Sequence, residues 1–351
     1  MKAFPGTAGT RVSKGAPLTS EEAVLARIND FFPNSWLNGD LGSSLILGRG
    51  DDCAIIASRE QICVSTDLFM EDVHFRRSYF SPQDIGWKSL AVNVSDLAAC
   101  GARPLGFTVG LSLPFDADMD LVDGLCTGMA ELAGQVGIPL IGGDLSRAER
   151  LHVCITVLGQ TACPLRRGRA IPGDVVFLVG EIGLARVGLQ ILERYGATAL
   201  DACRHDWPVA CAAHLHPFPR LAEGQALAAL ARSWEENSKT SRIGLMDLSD
   251  GLARDLPRLL GHWGARIELP EPHPELLRFV RSAGAANPEQ LARQEALLGG
   301  EDYGLIGTCP PERLCALQVA VPSARVIGTV TADTILKVDG MPVSGGFDHF
   351  A

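Results

Sequence analysis

The sequence has no run of about 18 apolar residues, the length a helix needs to cross a bilayer, so no membrane partner is expected. Basic residues are not in excess either: 31 Lys and Arg stand against 41 Asp and Glu, for a net charge of −10. A nucleic-acid surface needs a basic stripe, and none is expected here. An anionic small molecule is not excluded, because bound cations invert the local field. Residues 1–20 carry charge, Gly and Pro but no apolar h-region. This argues against a secretory signal and predicts a disordered lead-in. No C-x-x-C pair occurs among the 10 cysteines, several of which lie inside apolar runs such as LHVCITVLG. That pattern predicts buried free thiols in a reducing cytoplasm.

Familiar catalytic signatures are missing as well. There is no G-x-x-x-x-G-K-[ST], which excludes a P-loop enzyme. Gly48 and Gly50 are followed by Cys53 rather than by the third glycine of a dinucleotide loop. Neither H-E-x-x-H nor G-x-S-x-G is present. His214 and His216 precede Pro217 in a turn-like stretch with no acidic or Cys partner nearby in sequence. Zinc sites need three or four ligands, so these histidines read as structural or solvated.

What is present is a globular chain. Its 351 residues exceed one ordinary core and suit two domains, with 46% hydrophobic and 21% charged residues. Helical periodicity predicts helices over Glu21–Phe32, Pro82–Gly101, 118–136, Leu184–Tyr195, from Pro219, and over 249–260. Apolar runs at CAIIA, ICVST, GFTVGLSL, IPLIGG, LHVCITVLG, DVVFLVG, IGLMDL, ARIEL, YGLIGT and RVIGTV read as strands. The Arg-, Gly- and Pro-rich stretch 160–173 reads as a linker. The class is therefore α/β (α+β), with an N-terminal domain over 21–160 and a C-terminal domain over 161–351. The pattern leaves open whether the sheets are parallel or antiparallel.

The chemical signal is a series of carboxylates at the ends of apolar segments. They are Asp51 and Asp52, Asp67 closing ICVST, Asp96, Asp144 after Gly142 and Gly143, Asp247 and Asp250, and Glu301 and Asp302. Magnesium takes oxygen ligands, usually a few carboxylates completed by water and substrate phosphate. Short Asp side chains delivered from several loops suit it. Each has an ordinary reading too. Asp51, Asp52 and Asp144 suit turns, Ser249 and Asp250 suit helix N-caps, and Asp96 falls opposite the apolar stripe of its helix. Yet Asp96 is the lone charge between Lys88 and Arg103, which is unusual for an open helix face.

These residues lie in ordered motifs: GDDCAII, VSTDLFMEDVHF, KSLAVNVSDLAACGARP, LIGGD, RRGRAIPGD, HPFPRLAEGQAL, MDLSDGLARDL, GGEDY, VIGTV and GFDHF. From about Glu21 to the C-terminus the sequence resembles bacterial thiamine-monophosphate kinase. That family sits in the superfamily of aminoimidazole ribonucleotide synthetase and selenophosphate synthetase. The resemblance implies a two-domain fold of that superfamily and a homodimer formed through the N-terminal domains. It implies direct transfer of the ATP γ-phosphoryl group to thiamine monophosphate with several magnesium ions. It implies metal ligands at Asp52, Ser65, Thr66, Asp67, Asp96, Asp144, Asp247 and Asp250. ATP contacts follow at Gly143, Asp144, Arg167 and Ser249, and acceptor contacts at His74, Glu301 and Phe347. No dedicated catalytic base is implied. Three departures stand out: Asp72 where the family usually has Gly, Leu145 where it has Thr, and Phe347 where it has Tyr or Trp. The first two raise the alternative of a different phosphorylated acceptor. A nucleotide-binding homologue without turnover is the further alternative, against which stands the presence of every expected carboxylate.

Overall fold

Alternation decides the first sheet. The computed structural model describes residues 20–32, 45–47, 53–238 and 242–343. Its first half runs α1 (Glu21–Phe31), β1 (Leu45–Leu47), β2 (Ile55–Ile56), β3 (Gln61–Met70), α2 (Pro82–Cys100), β4 (Arg103–Pro114), α3 (Met119–Val136), β5 (Leu140–Ala148) and β6 (His152–Thr161). Along β3 exposed and half-buried residues alternate, as a strand with one covered face requires. The four-stranded sheet has the order β3-β6-β4-β5. Its pairs are antiparallel apart from the parallel β4–β5 pair. ICVST proves to be part of a longer strand that runs on to Met70, so Asp67 lies inside the strand rather than closing it.

The second half contains β7 (Val175–Val179), α4 (Leu184–Ile191), α5 (Ala197–Asp206), α6 (Pro208–Leu215), α7 (Leu221–Ser238), β8 (Gly244–Asp247), α8 (Leu252–Leu260), β9 (Gly264–Ile267), α9 (Pro274–Ser282), α10 (Pro288–Leu298), β10 (Leu305–Cys309), α11 (Leu314–Ala320), β11 (Arg325–Thr331), β12 (Leu336–Val338) and β13 (Met341–Pro342). Seven strands form one sheet in the order β13-β12-β9-β11-β7-β10-β8. It is antiparallel except between β9 and β12. The helix expected to reach Tyr195 changes at Leu192 into a π-helical turn. His214 sits in α6, not in a turn.

Helix α2 joins the halves. Ser81 and Asp84 cap it reciprocally, with Pro82 in its first turn. An amphipathic helix is expected here, but α2 is buried on almost every side. It packs on α3, β3, β6, α7 and β8. Asp96 is therefore not solvated: it is half-buried and accepts a hydrogen bond from the Ser65 hydroxyl. Contact with α3 is close because two glycines face backbone. A Cβ on Gly86 would lie 2.0 Å from the Leu125 carbonyl oxygen, and one on Gly128 would lie 2.0 Å from that of Gln83.

Gly128→Ala is therefore expected to destabilise the protein by about 1–3 kcal/mol, the usual range for overpacking. Helix propensity alone predicts the opposite sign, by roughly 1 kcal/mol. Gly110→Ala is the control, since its added methyl would sit 3.6 Å from Cys154 Cβ in ordinary contact. Urea denaturation of both variants checks this. A Gly128→Ala protein as stable as the wild type would refute the close approach.

Candidate active site

The pleat of β3 sorts the residues Ser65, Thr66 and Asp67. Ser65 and Asp67 face α2, where Ser65 donates to Asp96 and the Asp67 N–H donates to Asn93 Oδ1 at 3.0 Å. Thr66 points to the other face, where its hydroxyl lies 2.7 Å from that of Thr156. Two residues on from Asn93, Ser95 donates to Asp247 Oδ2 at the end of β8, at 2.9 Å. Strand β3, helix α2 and strand β8 thus bring Asp67, Asp96 and Asp247 to one place. A cleft of about 640 Å³ opens there, lined also by His74, Ser249, Asp250 and Glu301. A second cavity of about 490 Å³ shares Asp96 and Asp247 with it and adds Ser65 and Arg167.

Burial raises the pKa of these carboxyls, and the Asp96 charge adds to it at Asp67 and Asp247. Burial and the neighbouring Asp96 charge push Asp67 up to about 6. Burial, then Asp96, push Asp247 up to about 8 against the Ser95 hydrogen bond. Asp96 is also raised by burial, with Ser65 and Arg167 opposing. Tyr303 is raised well above its ordinary value by burial and by the charges of Glu301, Asp247, Asp67 and Asp96. Such mutual repulsion is what a hard divalent cation relieves. Among the described residues no three His, Cys, Asp or Glu side chains form a finished metal cage. Magnesium completed by water and phosphate does not require one.

Two loops complete the cleft and are laced by backbone bonds. The Glu301 N–H donates to the Ser249 carbonyl and the Tyr303 N–H to that of Leu248, both at 2.8 Å. Asp255 accepts from the Ser249 and Asp250 N–H groups at 3.2 and 3.0 Å. Arg258 then bridges Asp255 at 2.9 Å and Asp250 at 2.5 Å. Glu301 and Tyr303 have φ of +66° and +47°, left-handed conformations that cost of order 1–3 kcal/mol each outside glycine.

His74 follows β3 on a turn. The Met70 N–H donates to its Nδ1 at 3.1 Å, which assigns the proton of the neutral ring to Nε2. Glu301 meets Lys88 Nζ at 3.2 Å and His214 Nδ1 at 3.1 Å. Although burial opposes it, these two hold the Glu301 carboxyl well below the usual range. Here the structure corrects the sequence reading of the histidines. His214 has Glu301 as an acidic partner, and His216 has Asp84 at 2.7 Å. Both partners are distant in sequence, which hid them. Lys88 was also missed. The available signal was a lysine beside Trp87 on a helix otherwise rich in apolar residues.

Other expected residues are not brought to the cleft. Asp144 and Gly143 are exposed on β5 at the far edge of the sheet from β3. Asp144 registers with Gly110, Cys154 and Leu68, so it shares the outer face with Thr66. The three inter-strand steps between β3 and β5 span roughly 14 Å. Asp52 and Phe347 lie outside the described residues. The departure at Asp72 is a backbone matter. Its φ is +65°, a conformation glycine adopts freely and Asp tolerates, and its carboxylate pairs with Arg150. Neither Asp72 nor Leu145 lines the cleft.

A family model described as AIR synthase related protein, N-terminal domain, matches residues 50–161. The chain is 36% identical over 348 residues to thiamine-monophosphate kinase of Escherichia coli, covering 94% of this chain and 98% of that one. It is 33% identical over 326 residues to the Bacillus subtilis thiamine-monophosphate kinase, covering 88% and 94%. A crystal structure of thiamine-monophosphate kinase from Stenotrophomonas maltophilia matches with TM-score 0.73 at 33% identity, over 92% of this chain and 97% of that one. A structure described as AaThiL complexed with AMPPCP and TMP matches with TM-score 0.70 at 28% identity, over 94% and 97%.

The raised carboxyls give a pH prediction for metal-free protein. Asp67 and Asp247 bind protons more tightly folded than unfolded. Their stabilisation is full below about pH 4, the unfolded value. It is lost as pH rises through about 6 for Asp67 and about 8 for Asp247. Asp247→Asn should therefore melt higher than wild type at pH 8, by on the order of 2–5 °C, with a smaller gain at pH 5. Melting curves in EDTA at both values test this, and a gain that does not change with pH would contradict it.

Proposed function

The chain belongs to the thiamine-monophosphate kinase family, and we propose from the geometry how it moves the γ-phosphoryl group of ATP onto thiamine monophosphate. One observation carries the reading: two cavities meet at a wall made by Asp96 and Asp247. Arg167 faces one side, and His74 and Glu301 face the other. A phosphate donor and a phosphate acceptor entering from opposite sides converge at that wall. Arg167 binds the donor's phosphates, with Ser249 as the further ATP contact from within the cleft. His74 offers its Nε2–H to the acceptor. Glu301 opposes the positive charge of the thiazolium ring, and Phe347 stacks on it.

No base is needed. A phosphate monoester has its second pKa near ~6, so the acceptor oxygen is already a nucleophile at neutral pH. What remains is positioning and charge neutralisation. Magnesium, when bound, supplies that neutralisation on the phosphates. Asp67, Asp96 and Asp247 would hold it, joined by Ser65 and Asp250 and, on the family pattern, by Asp52; Thr66 and Asp144, on the outer face of the sheet, stand apart from them. The repulsion among the first three supports this. The proposed compartment is the cytoplasm, supported by 10 free cysteines. Among the described residues no helix is long and apolar enough to cross a membrane.

Residues 21–160 are proposed as the dimerisation and nucleotide half and 161–351 as the C-terminal domain, a division supported by the separate sheets. The outer face of the four-stranded sheet supports the dimer. Ile62, Val64 and Leu68 are exposed there by 43%, 61% and 56%, an apolar stripe that a second copy would cover.

Two outcomes follow. Asp67→Ala should lower turnover of thiamine monophosphate with MgATP by roughly 10²–10⁴, the several kcal/mol a metal contributes, while the variant stays folded; near-normal activity would remove Asp67 from the site. The protein should sediment at about twice 37.4 kDa, and Ile62→Lys should shift it toward that single mass. A wild-type monomer at micromolar concentration would end the dimer proposal.

A further inference from the structure

Lys88 is wholly buried in α2, where a lone charge is costly and a paired one is tolerated. Its Nζ lies 3.2 Å from Glu301 Oε2 and 3.4 Å from His214 Nδ1. It also stands 5.5 Å from the centroid of the Phe80 ring. His214 is buried as well, and its Nδ1 reaches the same Oε2 at 3.1 Å. The two contacts therefore converge on one oxygen of Glu301. Glu301 is the member of the three with access to water, at 27% exposure, and it lines the cleft. With Oε2 held from behind, Oε1 is the atom left for a ligand. Among the described residues the His214 Nε2 has no hydrogen-bond partner. This fits an imidazole that carries its proton on Nδ1 and donates it to Oε2.

We propose that Lys88 and His214 are positioning residues for the acceptor, pinning Glu301 Oε2 so that Oε1 meets the cationic ring in one fixed orientation. This rests on the reading of Glu301 as the acceptor contact. A mobile glutamate loses rotamer entropy whenever it is ordered; a pinned one has lost it on folding. Charge acts in the same direction. Removing Lys88 does not release a stronger anion to the cleft. A buried carboxyl without its counter-ion takes up a proton, and the ring then meets a neutral acid. The arrangement also links acceptor binding to docking of the halves, since Lys88 comes from α2, His214 from α6 and Glu301 from the loop before β10.

A purely structural ion pair and a positioning device differ in one readout, discrimination by charge. Thiamine monophosphate is compared with a neutral isostere in which carbon replaces the thiazolium nitrogen. Wild type should prefer the cation by roughly tenfold or more in kcat/KM, the equivalent of ~1.4 kcal/mol. Glu301→Gln and Lys88→Met should lose that preference. His214→Leu should raise the KM for thiamine monophosphate about five- to tenfold, leave the KM for ATP unchanged and weaken the preference. His214→Asn, whose amide N–H reaches the place of Nδ1, should restore both. If Glu301→Gln leaves acceptor KM and preference intact, the Glu301 assignment itself fails. If Glu301→Gln loses the preference while folded His214→Leu keeps it, Glu301 stands and the positioning inference is overturned. Should Lys88→Met not fold, the His214 pair decides alone.

Discussion

Burial of helix α2 on nearly all its sides is the constraint on which the rest of the molecule depends. A helix in that position must satisfy its polar side chains internally, and several of them do so by reaching another element. Asn93 and Asp96 reach β3, Ser95 reaches β8, and Lys88 reaches the loop before β10. The glycine contacts that seat α2 against α3 set its depth, and that depth sets where these groups arrive. The active-site geometry is thus a consequence of packing at one helix.

The site holds together against its own electrostatics. Asp67, Asp96 and Asp247 are kept near one another, half-buried or buried, although each makes ionisation of the others harder. Glu301 and Tyr303 add backbone strain at the rim. Stability elsewhere has to exceed these costs, and the large continuous core that crosses both halves supplies it. On the proposed reading a bound cation relieves the repulsion, which concentrates binding energy where charge must be neutralised for phosphoryl transfer.

Much of this was legible in the chain. The helix of Pro82–Cys100 announces itself by Pro82 and Gly101, and the carboxylates mark the segments that deliver them, although Asp67 and Asp144 fall inside strands and Asp96 inside a helix. Motif order revealed the family. Other features were not legible, for identifiable reasons. The period of two along β3 separates Asp67 from Thr66, yet nothing local says which face is covered. His214 looked isolated because its partner is 87 positions away, a distance along the chain read directly from the numbering. Asp72 looked like a change of substrate, and φ shows it to be a change of backbone tolerance.

The sequence by itself determined where the oxygen and cationic side chains suited to metal and phosphate stand along the chain, most of the helices and strands that carry them, and the family to which they belong. These follow from side-chain chemistry and short-range periodicity, which act within a few residues. Tertiary structure alone decided that Asp96 is sequestered, that Asp96 and Asp247 divide two cavities, and that Lys88 and His214 share one oxygen of Glu301. Those facts depend on how separate elements dock. Docking is governed by packing and desolvation summed over the whole core, and no local stretch of sequence contains that sum.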